Sequence, residues 1–401
     1  MSRRRPWVAA VVAVLLLGFV GCLQEGPEDD PGTAVGTGWV SLPDPPLSLR
    51  GAPFVVAASR DLLVFGGVDG GPCPPTASCA FPALRDGAAL DLAEQVWRPV
   101  ADLPLDLSHG VPVAWGEDVF VLGEAAGRRA PVLLRWSRAD DTWRRVPLPD
   151  GARVDQIVAD QDRVLLWSTS THRRGTDETV LTHDPGTGAW GALPDPDLGE
   201  GYDRVVLPLP DRVVLVATPL PEPDTELSHP GQPRYAVLRT GATSWRTGRP
   251  DPLPVRGAEG WRVTGDTVTV TGGRDVGRRA EGLRAGELTS EGFGWLPCRP
   301  DHDDPASGAW HTWGLTAPAS SSGSRPLVVD DGWLLDTAED SWTPLTPPPG
   351  APELPGGAVW VGRNLVVVGG TTHGSDAHHD RVVRVWGPVL EGRPLLGSAL
   401  Q

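Results

Sequence analysis

Short apolar runs recur along the chain, each opened by Asp or Asn and several closed by glycine. They are DLLVFGG from Asp61, DVFVLGE from Asp118, DRVLLWS from Asp162, DRVVLVAT from Asp211, DTVTVTGG from Asp266 and NLVVVGG from Asn364. β-Branched residues favour extended backbone and the flanking Asp, Asn and Gly favour tight turns, so each run predicts a strand. A second pattern is interleaved with the first. LDLAEQVW, RWSRADDTW, THDPGTGAW, VLRTGATSW, ELTSEGFGW and LLDTAEDSW pass from an apolar run through a polar turn to Trp97, Trp143, Trp190, Trp245, Trp295 and Trp342. Each tryptophan lies six residues after the first residue of its turn, which is Asp91, Ser137, Asp184, Arg239, Thr289 or Asp336. TAVGTGW, ending at Trp39, is an earlier partial copy.

Successive tryptophans, from Trp39 to Trp342, are 58, 46, 47, 55, 50 and 47 residues apart. Repeats of that length point to a propeller or solenoid, overriding the prior of about two or three domains that length alone suggests. Prolines crowd the segments after the tryptophans, as in WRPVADLPLDL and WTPLTPPPGAPELP, where a central strand or a helix would not tolerate them.

Taken together these motifs resemble the kelch repeat, whose unit runs from a strand ending in Gly-Gly, through a strand ending in Tyr-Asp-Pro, to a Trp after a short turn. THDPGTGAW matches that ending with His183 in place of Tyr, and LVFGG, TVTGG and VVVGG match the Gly-Gly strand. The resemblance covers Trp39 to Trp386; the second, third and fourth copies lack the second glycine, and the element is missing between Asp266 and Asn364. It implies an all-β, seven-bladed propeller of four-stranded antiparallel sheets, with large aromatics wedged between neighbouring blades. On that reading the repeat tryptophans are core, each contributing about 3 kcal/mol if fully buried. After Trp342 only three strands remain, PGGAVWVG, NLVVVGG and RVVRVWGPV, so TGWVSLP is expected to supply the fourth and close the last blade.

The ends change the picture. Three arginines, Arg3 to Arg5, precede an apolar run from Trp7 to Val20, then Gly21 and Cys22, the order of a secretory signal over residues 1–21. GFVGC resembles the bacterial lipobox, with Phe19 where Leu is usual, which implies lipidation of Cys22 and attachment to the extracytoplasmic face of the cell membrane. A plain signal peptide with an unmodified Cys22, or an uncleaved anchor, are the alternatives. Residues 22–36 then read as a flexible tether, 37–392 as the propeller and 393–401 as a tail. A formal charge of −16 argues against nucleic-acid binding, and the absence of lysine among the 35 basic residues reads as GC-rich codon bias rather than a binding signal. A monomer is expected. Cys73 and Cys79, in GPCPPTASC, suit a disulfide in an oxidising compartment, with a two-cysteine metal site as the alternative; Cys298 has no obvious partner.

In a kelch-type propeller the innermost strand of each blade begins at the rim that also carries the connections between second and third strands. Four of these are long: Gly66 to Asp86, Thr218 to Gln232, Gly272 to Glu281 and Gly370 to Asp380. Arg50, His109, Arg153, Tyr202 and Arg256 fall near the starts of inner strands, where they are candidates for an anion or sugar-hydroxyl site. The competing reading pairs the arginines with neighbouring Asp and Glu. CRPDHDDP, with Asp301, His302, Asp303 and Asp304, and THGSDAHHD, with His373, Asp376, His378, His379 and Asp380, are weak metal candidates whose simpler reading is a solvated loop. No metal or cofactor is expected.

Galactose oxidase resembles this chain in its seven kelch-type blades, but its copper-radical site needs a Cys–Tyr crosslink, a second Tyr and two His. Tyr202 and Tyr235 are the only tyrosines, and no cysteine is placed to match. A sialidase Asp-box, a G-x-S-x-G elbow, a phosphate loop and a Rossmann fingerprint are all absent. The expectation is a non-catalytic binding module for a protein or a cell-wall glycan. The alternatives are a divergent oxidase or glycan-active hydrolase or lyase on the same fold, and a structural spacer.

Overall fold

The computed structural model describes residues 38–73, 79–127, 130–168, 179–199, 201–209, 212–219, 234–248, 260–264, 267–271, 284–289, 292–295, 315, 327–330, 332–336, 341–373 and 377–387, with backbone alone for parts of the strands between 201 and 342. The leader, Cys22, the tether and the 393–401 tail lie outside these residues.

The fold is all β. Strand β1 (Trp39–Leu42) is followed by β2 (Phe54–Ala58), β3 (Asp61–Phe65), β4 (Gly87–Asp91) and β5 (Val96–Val100), then by β6 (Leu107–Trp115), β7 (Asp118–Ala125), β8 (Pro131–Ser137) and β9 (Thr142–Val146). Next come β10 (Gln156–Ala159), β11 (Val164–Trp167), β12 (Leu181–His183) and β13 (Trp190–Ala192), and β14 (Gly201–Leu209), β15 (Arg212–Pro219), β16 (Arg234–Arg239) and β17 (Arg246–Gly248). The chain continues with β18 (Gly260–Thr264), β19 (Thr267–Thr271), β20 (Arg284–Thr289) and β21 (Gly292–Trp295), and with β22 (Leu327–Asp330), β23 (Trp333–Asp336) and β24 (Ser341–Pro344). It ends with β25 (Leu354–Val361), β26 (Asn364–Thr372) and β27 (His378–Trp386). Each group is an antiparallel sheet in chain order, four-stranded except for the three strands β22 to β24 among the described residues. The last sheet runs β1-β27-β26-β25: Trp39 pairs with Trp386 and Leu42 with Val383. The N-terminal segment thus supplies the fourth strand that the C-terminal sequence lacks. Such a set of sheets is compatible with a β-propeller.

Side chains alternate across a strand, and here both faces are covered, which is why the second strands read as unbroken apolar runs. Leu63 and Phe65 of β3 pack with Val119, Val121, Leu134 and Trp136 of the next sheet. Leu62 and Val64, pointing the other way, pack with Val366, Val368, Val383 and Val385 of the last sheet. The same division joins the second sheet to the third through Phe120, Leu122 and Leu166, and the third to the fourth through Leu165 and Leu215. Leu334 and Val367 join the β22–β24 sheet to the last. Each such aliphatic side chain contributes about 1.5–3 kcal/mol when fully buried.

The repeat tryptophans act differently from the expectation. Trp39, Trp97, Trp143, Trp190 and Trp245 are half-buried, whereas the fully enclosed indoles are Trp136 and Trp386, on the strand before the turn. A half-buried ring keeps its polar edge available. Trp97 Nε1–H donates to the Pro43 carbonyl at 2.7 Å, Trp143 to Ala101 at 2.9 Å, and Trp245 to Pro194 at 2.6 Å. Each acceptor lies four residues after the preceding repeat tryptophan, Trp39, Trp97 and Trp190. Trp39 donates to Thr346 at 2.9 Å, four residues after Trp342. The N-terminal strand therefore stands to Trp342 as the copies at Trp97, Trp143 and Trp245 stand to their predecessors. Prolines suit the acceptor position because their carbonyl is used and no N–H is left to satisfy. At Ala101 the N–H is present, and Asp141 Oδ1 accepts it at 3.0 Å.

The short turns between first and second and between third and fourth strands share one end of the sheets. There Asp61, 1% exposed at the start of β3, accepts from Arg98 of its own sheet at 2.6 Å and from Arg138 of the next at 2.9 Å. Asp118, the equivalent residue of β7, pairs with Arg135 at 2.6 Å, and Arg135 also donates to the Pro185 carbonyl of the third sheet at 2.8 Å. In THDPGTGAW, Asp184 Oδ1 accepts from the Gly186 and Thr187 N–H groups and Oδ2 from the Thr187 hydroxyl at 2.7 Å. These bonds hold Asp184 below the usual carboxylate range. Trp190 is then delivered onto the buried His183 ring, with centroids 4.6 Å apart.

Candidate functional site

First strands of consecutive sheets lie beside one another, β25 by β2, β2 by β6, β6 by β10, β10 by β14 and β14 by β18. The approach of β25 to β2 requires a glycine, since a Cβ at Gly357 would stand 2.6 Å from Val55 Cγ2. These strands begin at the rim opposite the tight turns, where the loop from β3 to β4 folds back: Gly51 and Val68 exchange backbone hydrogen bonds at 3.0 and 2.9 Å. β1 enters at the other end, because Trp39 pairs with the last residue of β27.

The rim candidates have separate fates. Arg50 is 6% exposed, with its donors engaged by Asp86 Oδ2 at 2.8 Å, Asp86 Oδ1 and the Gly66 carbonyl at 3.0 Å, and the Ser48 carbonyl at 3.1 Å. It staples the segment before β2 to both ends of the β3–β4 loop. His109 is exposed on β6, opposite Glu124, and Arg153 is exposed just before β10. They sit at the same end of neighbouring strands, and neither has an ion-pair partner among the described residues. Tyr202 lies on β14, its backbone paired with Thr218. Arg256 lies outside the described residues.

The last rim loop is shorter than the sequence suggests, because β26 and β27 extend through it and Gly370 pairs with Asp380. Asp380 holds Arg384 at 2.6 Å and the Val382 N–H at 2.9 Å. His373 donates its backbone N–H to Glu353 at 2.8 Å, and His378 is exposed opposite Thr372. His379 Nδ1 lies 3.1 Å from Thr371 Oγ1, and its ring also bonds to the Gly70 backbone of the first sheet. Burial lowers its pKa against that bond's opposing effect, and His373 and His378 lower it further. Among the described residues no three His, Cys, Asp or Glu side chains converge as metal ligands. Asp376, Cys298 and the residues from Asp301 to Asp304 lie outside the description. Cys73 and Cys79 form a disulfide within the β3–β4 loop.

Sequence reasoning missed Arg145, exposed on β9 at a cleft of about 310 Å³ that it lines together with Arg85, Asp106, Ala125 and Val132. The signal was available, since Arg145 is the only charged residue two places after a repeat tryptophan. Neither a known protein-family model nor any curated protein matches this chain.

Proposed function

We propose that the chain is a seven-bladed, kelch-type propeller, exported and held at the cell membrane by a lipid on Cys22, that binds a protein or cell-wall glycan without covalent chemistry. Ring closure through β1 is supported by the Trp39 to Thr346 hydrogen bond, which repeats the spacing seen between the other copies. Recognition falls to the rim where inner strands begin. The supporting observation is that His109 on β6 and Arg153 just before the adjacent β10 stand exposed and without ion-pair partners among the described residues, while Arg50, before β2, is engaged internally. An imidazole and a guanidinium at one mouth suit carboxylates and sugar hydroxyls.

The test is binding of the Cys22→Ser protein to isolated cell-wall sacculi, alongside photo-crosslinking in cells from position 109. One of the two should give saturable capture, weakened at least tenfold by His109→Ala with Arg153→Ala. Capture that survives the double substitution, or steady release of soluble saccharide, would contradict the proposal. Membrane attachment should be lost in Cys22→Ser; retention would refute the anchor.

A further inference from the structure

We propose that Arg145, on the outermost strand of the second sheet, is the recognition group of a binding site for a carboxylate on an apolar body. Arg145 lines two adjoining clefts that also share Val132, of about 310 and about 280 Å³. The larger is walled by Leu105, Ala125 and Val132, with Arg85 and Asp106 at its border. The smaller adds Pro131, Leu133, Pro147 and Leu148. Two prolines remove backbone donors from this wall, so polar recognition rests on the guanidinium.

Two independent observations single out Arg145. The first is its lack of a partner. Asp106, the acid at the cleft, is held by Arg85 at 2.5 Å, and the Arg145 guanidinium has neither ion pair nor hydrogen bond among the described residues. In a chain of net charge −16, a guanidinium without an acid beside an apolar cleft is an uncompensated attraction for an anion. The second is register. The positions two after the other repeat tryptophans are Ser41, Pro99, Ala192, Thr247, Pro297 and Pro344, so the fold does not call for a charge there.

A guanidinium binds a carboxylate through two parallel N–H donors, and the larger cleft is at the small end of ligand sites, which start at about 300 Å³, with the smaller just below it. The body that fits is a branched aliphatic or single aromatic group. It could come from a free short-chain acid or from the C-terminal residue of a peptide, since both present the same carboxylate and apolar group. Arg145 is on β9 and His109 on β6, at opposite edges of the second sheet, and each proposal is tested by its own substitutions, so their failures are separable.

The experiment is titration of the purified full-length protein, by ligand-observed NMR, with N-acetylleucine as the peptide terminus, 4-methylpentanoate as the free acid and N-acetylleucinamide as the uncharged control. At least one acid should bind saturably, the amide at least tenfold more weakly. Arg145→Ala should weaken the acid at least tenfold, with Arg145→Lys intermediate. In Arg145→Ala with Arg85→Ala the acid should bind as it does in Arg145→Ala alone, since Arg85 is already paired with Asp106; a merely structural Arg145 would leave acid binding to depend on Arg85. Tenfold preference between the acids identifies the source. No saturable binding of either acid, equal binding of the amide, or an unaffected Arg145→Ala variant would overturn the proposal.

Discussion

The turn end and the rim end of the first two sheets are built from the same residue types, Asp, Arg and aromatic rings, yet use them in opposite ways. At the turn end the devices recur. Asp61 and Asp118 occupy equivalent places and reach across to the next sheet, directly or through Arg135, and Trp97 and Trp143 donate to equivalent carbonyls. At the rim each sheet differs: Arg50 is internal, His109 and Arg153 are exposed, and Arg145 has no counterpart in other copies. Repetition marks what joins sheets, and departure from it marks what is free to recognise a ligand.

Substitutions that attack the repeated end should cost most. Trp136→Ala empties a fully buried site between the first and second sheets and is expected to lower unfolding stability by about 3–5 kcal/mol in urea titrations. Asp61→Ala leaves Arg98 and Arg138 without their shared acid; since both arginines reach solvent, the expected loss is nearer about 2 kcal/mol. Trp143→Phe keeps a ring against Phe65 but deletes the donor to Ala101, for about 1 kcal/mol.

Acid should act in the same direction through His183, whose pKa is lowered chiefly by burial. The unfolded chain binds that proton first, so the stabilisation from neutral His183 is complete above about pH 6.5 and is lost as pH falls towards the folded value. His379 adds to the same loss. Melting temperatures measured from pH 8 to pH 5 should fall, and less steeply in His183→Phe, which retains the contacts with Phe120 and Trp190. The smallest effects belong to the rim. His109→Ala and Arg145→Ala should each change stability by less than about 0.5 kcal/mol. A larger loss at either would erase the contrast between the ends.

How far the sequence carries the fold follows from what each residue must do. The all-β class and the pairing of TGWVSLP with RVVRVW were legible because strand periodicity and a missing fourth strand are local facts. The part played by the repeat tryptophans was read only in half. Their spacing marked them as joints, but the indole donors to Pro43, Ala101 and Pro194 sit on half-buried rings, and hydropathy does not register such bonds. Leu327–Asp330 escaped notice as a strand because it has neither the opening Asp nor the closing glycine, and only residues 331–332 separate it from β23. Of the rim candidates, Arg50 and Arg153 are the same residue type at similar places in the repeat, and only the nearness of Asp86 to Arg50 distinguishes them.

The N-terminal strand is the piece on which the proposed circular arrangement depends. Val40 and Val385 are direct cross-strand partners, and opposed residues in antiparallel strands have Cα atoms about 4.5–5.5 Å apart, within disulfide range. Val40→Cys with Val385→Cys, in a chain with Cys22 and Cys298 changed to Ser, should oxidise to an intramolecular bond, seen as a single crosslinked peptide by mass spectrometry. Two free thiols in the folded protein, or a bond joining two chains, would contradict the closure.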